Sequence, residues 1–251
     1  MQDDQMSLVE HLTELRKRML WVLVVLVLAM IGGFFAADYL LEYLKSIKPA
    51  SDMSWHAFSL WDGIRIYMQF AFLIALVVTI PFALFHLWSF VKPGLRREEQ
   101  SATLRYIPFT VLLFLVGLAF SYFVVFPMAF YFTSGVNKNL QLTETYGITQ
   151  YFTFMFNILL PVSLLFELPI VVMFLTRLRI LNPMRLRKLR RYAYVVLVVV
   201  ATLVTPPDFI SDILVAIPLI VLYEISVLLS SVVYRKQREK DLAWEAEFGA
   251  K

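Results

Sequence analysis

The sequence contains no cysteine and few charged residues, and both shortages restrict what the protein can be. Without cysteine the chain has no disulfides, no thiolate catalysis and no cysteine-ligated metal. Charged residues make up only 17% of the 251 residues, against about a quarter in soluble domains. They form short blocks between long apolar runs, and hydrophobic residues reach 60%. This pattern is typical of a membrane protein, because hydrocarbon tolerates few charges.

The motifs of common catalytic sites are also missing from the sequence. His11, His56 and His86 are far apart and lack metal-ligand spacing. No glycine-rich loop could cradle a phosphate, and no serine lies in a nucleophile-elbow context. The pI near 9.2 reflects basic residues at predicted helix ends rather than a nucleic-acid surface. We therefore expect a protein that is not an enzyme and that uses no metal, cofactor or nucleic acid.

Six apolar segments predict an all-α, polytopic membrane protein that forms one membrane domain over residues 1–251. Lipid cannot satisfy backbone polar groups, so each segment should be a helix. The first run lacks a clear small-residue cleavage site, and we interpret it as a retained helix. The fifth segment is shorter than the ~20 residues of a normal span and should thin the bilayer or recess one end. The segments are residues 19–37, 64–91, 106–133, 151–175, 192–204 and 213–233.

The basic residues predict the orientation of these six spans. Nineteen of the 23 lysines and arginines precede the first span, lie between spans two and three or four and five, or follow the sixth. Cytoplasmic segments carry such an excess, so both termini should be cytoplasmic. Prolines inside or near the spans should kink the helices into a curved wall rather than a straight bundle. They are Pro81, Pro108, Pro127, Pro161, Pro169 and Pro218.

An amphipathic helix should lead into the first span. Residues 7–10 (SLVE) form a capping-box pattern, which predicts a helix start at Ser7. On this helix Glu14 has two interpretations. It could form an intrahelical pair with Arg18, worth a few tenths of a kcal/mol. It could instead be an exposed carboxylate that receives a cationic partner.

The loop after the second span offers further carboxylates at Glu98 and Glu99. They could belong to a solvated, mixed-charge turn. They could also lie on the same membrane face as Glu14. Two spaced carboxylates suit a pair of guanidinium groups, because arginine binds carboxylates with charge-assisted, bidentate hydrogen bonds.

Two acids lie at mid-depth and are candidates for an intramembrane pocket. Glu167 is ten residues before Arg177, about 15 Å along a helix and half of a ~30 Å hydrocarbon core. Glu224 lies eleven residues before Arg235. An ionised carboxylate is costly there, so each should be protonated or hydrogen-bonded. A kink-stabilising hydrogen bond or a bundle contact would suffice, but intramembrane acids favour a functional role.

The turn before the sixth span is rich in proline and acid. Asp208 and Asp212 flank the start of that helix, and either could cap it. Because Asp208 follows Pro206 and Pro207, a fixed, extracellular acidic turn is also expected.

Six strings in order resemble the TatC family of the twin-arginine protein translocase over nearly the whole chain. They are residues 11–18 (HLTELRKR), 88–95 (WSFVKPGL) with Glu99, 122–127 (YFVVFP), 166–169 (FELP), 205–208 (TPPD), and 217–218 (IP) with 223–225 (YEI). The chain departs from the family pattern at Asp212, where some relatives carry glutamine, and in having Glu98 beside Glu99. The resemblance implies a cupped, glove-like arrangement of six helices.

The resemblance also implies roles for particular residues. Glu14 and Glu99 would bind the two arginines of a signal peptide, with Arg16 and Phe90 nearby. Glu167 would line a concave pocket within the membrane. Pro206 and Asp208 would belong to the external turn, and the short fifth and sixth helices would dock single-span partner subunits of the TatA and TatB type.

The function implied is that of a receptor and core subunit in a prokaryotic cytoplasmic membrane. It would bind signal peptides of folded cargo, assemble with the single-span subunits and with further copies of itself, and export cargo at the expense of the proton-motive force. An alternative is a proton-coupled small-solute transporter with Glu167 and Glu224 as the relay. An intramembrane protease fits poorly, because no serine or aspartate pair is placed for catalysis.

Overall fold

The structure, a computed structural model, describes residues 8–92, 107–205 and 209–248. Its described part is helical apart from short connections and one isolated bridge between His56 and Gly147. The α-helices are α1 (Leu8–Ser46), α2 (Asp62–Val91), α3 (Ile107–Phe120), α4 (Phe126–Asn139), α5 (Ile148–Leu165), α6 (Leu168–Arg177), α7 (Pro183–Val204) and α8 (Phe209–Phe248). The polytopic, all-α prediction is confirmed.

Five helical segments of the described chain are long and apolar enough to cross a membrane. They are Thr13–Ser46, Asp62–Phe90, Ile107–Asn139, Ile148–Arg177 and Asp212–Ala246. They match the predicted spans one to four and six. The first and last helices extend well beyond the predicted spans 19–37 and 213–233. Helix α1 therefore contains a helical lead-in, whose amphipathic character stays a prediction, and α8 continues past its span.

The predicted fifth span is the second half of a longer helix. Helix α7 starts at Pro183, because Asn182 caps it by accepting a hydrogen bond from the Met184 backbone nitrogen at 2.9 Å. Five of the seven basic residues between the fourth and fifth predicted spans therefore lie on the first turns of a 22-residue helix. A crossing by the apolar residues 192–204 stays a prediction.

Two of the prolines coincide with departures from α-helical geometry. A π-helical segment, Ser121–Val125, joins α3 to α4 and ends two residues before Pro127. Helices α5 and α6 are separated at Phe166 and Glu167, two residues before Pro169. Proline has no backbone N–H and its ring clashes with the carbonyl four residues earlier, so each break relieves that conflict.

The chain divides into two compact units. The first comprises residues 1–111 and 145–153, and the second comprises residues 112–144 and 154–251. This grouping leaves the single membrane domain as a prediction. In the first unit α1 packs along α2, and Gly33 lies against the backbone of Ala71. Such small residues allow close helix approach, which is the main source of packing energy between membrane helices.

The second unit is held by α8 packing on α6 and α7. A buried hydrogen bond of 2.7 Å joins the hydroxyl groups of Thr176 and Ser230. The side-chain amide of Gln237 donates to the carbonyl of Arg177 at 2.9 Å. These bonds fix the end of α6 against α8, because buried polar groups strongly prefer to keep their partners.

Candidate functional site

An apolar groove runs along α1 and α2 in the first unit. Its volume is about 730 Å³. Most of the lining is aliphatic, with Phe90 on α2 and the polar side chains of Arg16, Arg18 and His86. Two predicted site residues, Arg16 and Phe90, therefore line the same groove. The two helices are linked here by Arg18, whose guanidinium donates to the His86 carbonyl at 3.4 Å.

Glu14 lies beside this groove and is joined to one of its lining residues. Its Oε1 accepts hydrogen bonds from Arg18 Nη2 at 2.5 Å and Nε at 3.1 Å. The intrahelical pair anticipated from the spacing is thus present. The second oxygen, Oε2, is buried and has no hydrogen-bond partner in the described part of the chain. The carboxylate therefore keeps an acceptor for one more cationic donor.

Two further buried polar atoms lie on α2 near the groove. His86 Nδ1 and Trp88 Nε1 have no hydrogen-bond partner among the described residues. The Lys92 ammonium lies 5.3 Å from the Trp88 ring centre, a cation–π distance. Unsatisfied buried groups are uncommon in native proteins, and each is a candidate for a bond to a missing partner. Glu98 and Glu99 lie outside the described residues.

Glu167 occupies the break between α5 and α6 in the second unit. The residue is only 6% exposed, and neither carboxylate oxygen has a hydrogen-bond partner in the described part of the chain. Ser163, one turn earlier, donates instead to the Leu159 carbonyl at 2.5 Å. Phe166 lies in the same break, and the centre of its ring is 5.4 Å from that of Phe120. The intramembrane acid is therefore buried without the hydrogen bond that the sequence allowed.

Glu224 has a different environment and is tied to α7. Its Oε2 accepts a hydrogen bond from Arg190 Nη2 at 2.7 Å, and its Oε1 accepts one from the Tyr194 hydroxyl at 2.5 Å. The expectation that this acid is hydrogen-bonded is met. Since Glu167 lacks a hydrogen-bond partner within the described chain, the two acids are not bonded to each other.

The Arg190–Tyr194–Glu224 cluster was missed by the sequence reasoning. Arg190 and Tyr194 are one turn apart on α7, so they share a face, and an acid in the following apolar helix needs a partner. That combination was the available signal. The apolar segments alone do not reveal it, because Arg190 lies just before the fifth apolar segment, residues 192–204.

The turn between α7 and α8 is only partly described. Asp212 Oδ1 accepts a hydrogen bond from the Thr205 hydroxyl at 2.7 Å, which links the end of α7 to the first turn of α8. Asp212 therefore joins the two helices. Pro206 and Asp208 lie outside the described residues. Within the described ranges, no group of three or more His, Asp or Glu residues could hold a metal ion.

Comparisons with known proteins identify relatives along the whole chain. The family model for the Sec-independent protein translocase protein (TatC) matches residues 10–218. A TatC protein of Halalkalibacterium halodurans is 46% identical over 248 residues, which cover 99% of this chain and 98% of the relative. TatCy of Bacillus subtilis is 45% identical over 243 residues, with 97% and 96% covered.

Solved structures agree with this relationship. The crystal structure of a twin arginine translocase receptor, TatC, matches with a TM-score of 0.74 at 28% identity, covering 89% of this chain and 99% of that one. A structure of such a receptor in the detergent DDM gives a TM-score of 0.76 at 29% identity. The fold, the order of the motifs and the relatives agree, and the chain belongs to the TatC family of Sec-independent protein translocase subunits.

Proposed function

We propose that this subunit is the receptor for twin-arginine signal peptides and that it binds them at the Glu14 end of the α1–α2 groove. The observation that carries the proposal is the buried, unpartnered Oε2 of Glu14 beside an apolar groove. Glu99 supplies the second carboxylate. Arg16 and Phe90 line the site that receives the peptide.

The chemistry of the groove suits an export signal. Such a peptide has a cationic segment followed by an apolar stretch of about 7–15 residues. The carboxylate receives a guanidinium through a charge-assisted hydrogen bond, while the aliphatic lining receives the apolar stretch. Because Glu14 Oε1 is held by Arg18, the side chain is oriented before the peptide arrives, which reduces the entropic cost of binding.

We place the subunit in the cytoplasmic membrane with six crossings and both termini in the cytoplasm. The sixth crossing needs the apolar half of α7, residues 192–204, to enter the bilayer as a short span beside α8. The link between Thr205 and Asp212 supports a tight hairpin between the two helices. The distribution of basic residues supports the orientation.

The other proposed sites concern assembly. Glu167 and Glu224 belong to an intramembrane region that faces partners, and the α7–α8 hairpin docks single-span subunits of the TatA and TatB type. Pro206 and Asp208 form the external turn, and further copies of the chain take part in the complex. The proton-motive force supplies the energy for export. The lipid bilayer surrounds the subunit.

The alternative of a proton-coupled solute transporter is not favoured. The relatives are protein translocase subunits. The structure also gives Glu224 a guanidinium partner in Arg190, and it gives Glu167 no hydrogen-bonded link to Glu224 within the described chain. A proton relay between Glu167 and Glu224 would therefore lack a hydrogen-bonded path within the described chain.

Photo-crosslinking tests the receptor proposal. A photoreactive phenylalanine at position 90 should capture a labelled signal peptide that contains two arginines. Capture should fall strongly when both arginines are replaced by glutamine. Position 35 is the control, since Phe35 is an exposed aromatic residue outside the groove lining. Equal capture from positions 90 and 35, or equal capture of both peptides from position 90, would overturn the proposed site.

A further inference from the structure

A second cavity, lined by arginine, lies in the second unit between the α6–α7 connection, the start of α7 and α8. Its volume is about 360 Å³, within the range of about 300–1,000 Å³ for small-molecule sites. Arg179, Arg185 and Arg238 contribute to the lining together with Tyr234, Gln237 and Asp241. Three guanidinium groups thus share one cavity with one carboxylate, which leaves a surplus of positive charge.

The cavity lies beside the end of an apolar span, where we expect the lipid headgroups. Arg179 is two residues past Arg177, at which that span ends. Tyr234 has the amphipathic ring that membrane proteins concentrate at this level. The start of α7, at Pro183, points the positive end of a 22-residue helix dipole toward the same region. An anion at this position would meet the positive charge of the arginine side chains, to which the helix dipole adds a smaller contribution.

Arg179 occupies a backbone position that would suit glycine better. Its φ is 62°, the left-handed conformation that follows many helix ends, where glycine has no steric penalty. Its guanidinium donates to Asp241 Oδ1 at 2.9 Å. The bond to Asp241 therefore holds the Arg179 side chain at the cavity in spite of that conformational cost.

The other two arginines of the cavity, Arg185 and Arg238, form no ion pair with a described residue. Both are exposed. Gln237 forms part of the wall, since it is 4% exposed and anchored to the Arg177 carbonyl. Gln237 is therefore held in place in the cavity wall, while the guanidinium groups of Arg185 and Arg238 are available to a ligand.

We infer that this cavity binds the phosphate group of an anionic phospholipid from the membrane leaflet on the side of the C-terminus. Arginine matches phosphate oxygens through bidentate, charge-assisted hydrogen bonds. Basic pockets between transmembrane helices are a known mode of anionic headgroup binding. Lipid here would bridge the α6–α7 connection, the start of α7 and α8. The inference does not depend on signal-peptide binding.

Lipid binding by purified full-length protein in a neutral maltoside detergent tests the inference. Phosphatidylglycerol adducts are counted by native mass spectrometry during titration, with phosphatidylcholine of the same chains as comparison. The R185Q/R238Q variant should bind phosphatidylglycerol about tenfold more weakly. The matched variant K188Q/K236Q loses the same charge from the same two helices but outside the cavity lining, and it should retain wild-type affinity.

Two further measurements distinguish lipid binding in the cavity from a damaged fold and from binding of free phosphate. Asp241→Asn removes the only carboxylate among the described lining residues and should strengthen phosphatidylglycerol binding, which a merely damaged fold would not do. Inorganic phosphate at millimolar concentration should not displace the lipid. Equal loss in both double variants, no preference over phosphatidylcholine, weaker binding by Asp241→Asn, or full displacement by inorganic phosphate would each overturn the inference.

Discussion

Replacing Gly33 by alanine should push α1 slightly away from α2 and destabilise the protein. A Cβ at this position would lie 2.7 Å from the Ala71 carbonyl oxygen and 3.1 Å from the Ala71 Cα. Both atoms belong to backbone, so neither can rotate away. The helices would have to retreat by about 0.7 Å to reach the 3.4 Å at which ordinary contact begins. Overpacking of this kind costs about 1–3 kcal/mol.

Gly32 provides a matched control on the same helix. A Cβ there meets nothing within 4 Å, so Gly32→Ala should be neutral or slightly stabilising, since alanine favours the helix. Thermal unfolding of both variants in one detergent would measure the difference. We expect a lower Tm for Gly33→Ala, by about 2–4 °C for each kcal/mol. Equal Tm values for the two variants would refute the proposed close approach of α1 to α2.

Two other predictions concern the intramembrane acids. Glu224→Gln should lower the free energy of unfolding by about 1–3 kcal/mol, because Arg190 loses its ionised partner. The double variant Glu224→Gln/Arg190→Gln should lose less stability than the sum of the two single variants. Additive losses in the free energy of unfolding, measured by chemical denaturation, would contradict the pairing. Glu167→Gln should leave the Tm unchanged or raised while reducing export of a twin-arginine reporter, since no described hydrogen bond is lost. A clear fall in the Tm would show that this acid has a structural partner.

The membrane helices were predictable where an apolar run has sharp ends. The second span was predicted as residues 64–91, and helix α2 runs from Asp62 to Val91. The first part of α7 was not predictable from hydropathy, because its basic residues are polar but still favour helix. Its true start depends on the Asn182 cap, a local signal that an apolar count does not detect.

From residue spacing alone the site was predictable only within a helix, whereas the placement of Arg16 near Phe90 came from the family resemblance. The Glu14–Arg18 pair follows from their four-residue spacing, which places them on one face. The groove between α1 and α2 depends on which faces of the two helices pack, and the sequence carries no direct signal for that. The same holds for the bond from Arg190 to Glu224, which joins residues 34 positions apart.

Signal-peptide affinity in a double-mutant cycle tests the receptor account most directly. The cycle combines Glu14→Gln in the protein with replacement of the arginine pair by glutamine in the peptide, so the lost Glu14–Arg18 bond cancels. Glu42→Gln, an exposed acid near the other end of α1, is the control. We predict that Glu14→Gln weakens the arginine peptide about tenfold more than the glutamine peptide, as expected for one charge-assisted hydrogen bond. Equal weakening of both peptides, or the same result for Glu42→Gln, would contradict recognition of arginine by Glu14.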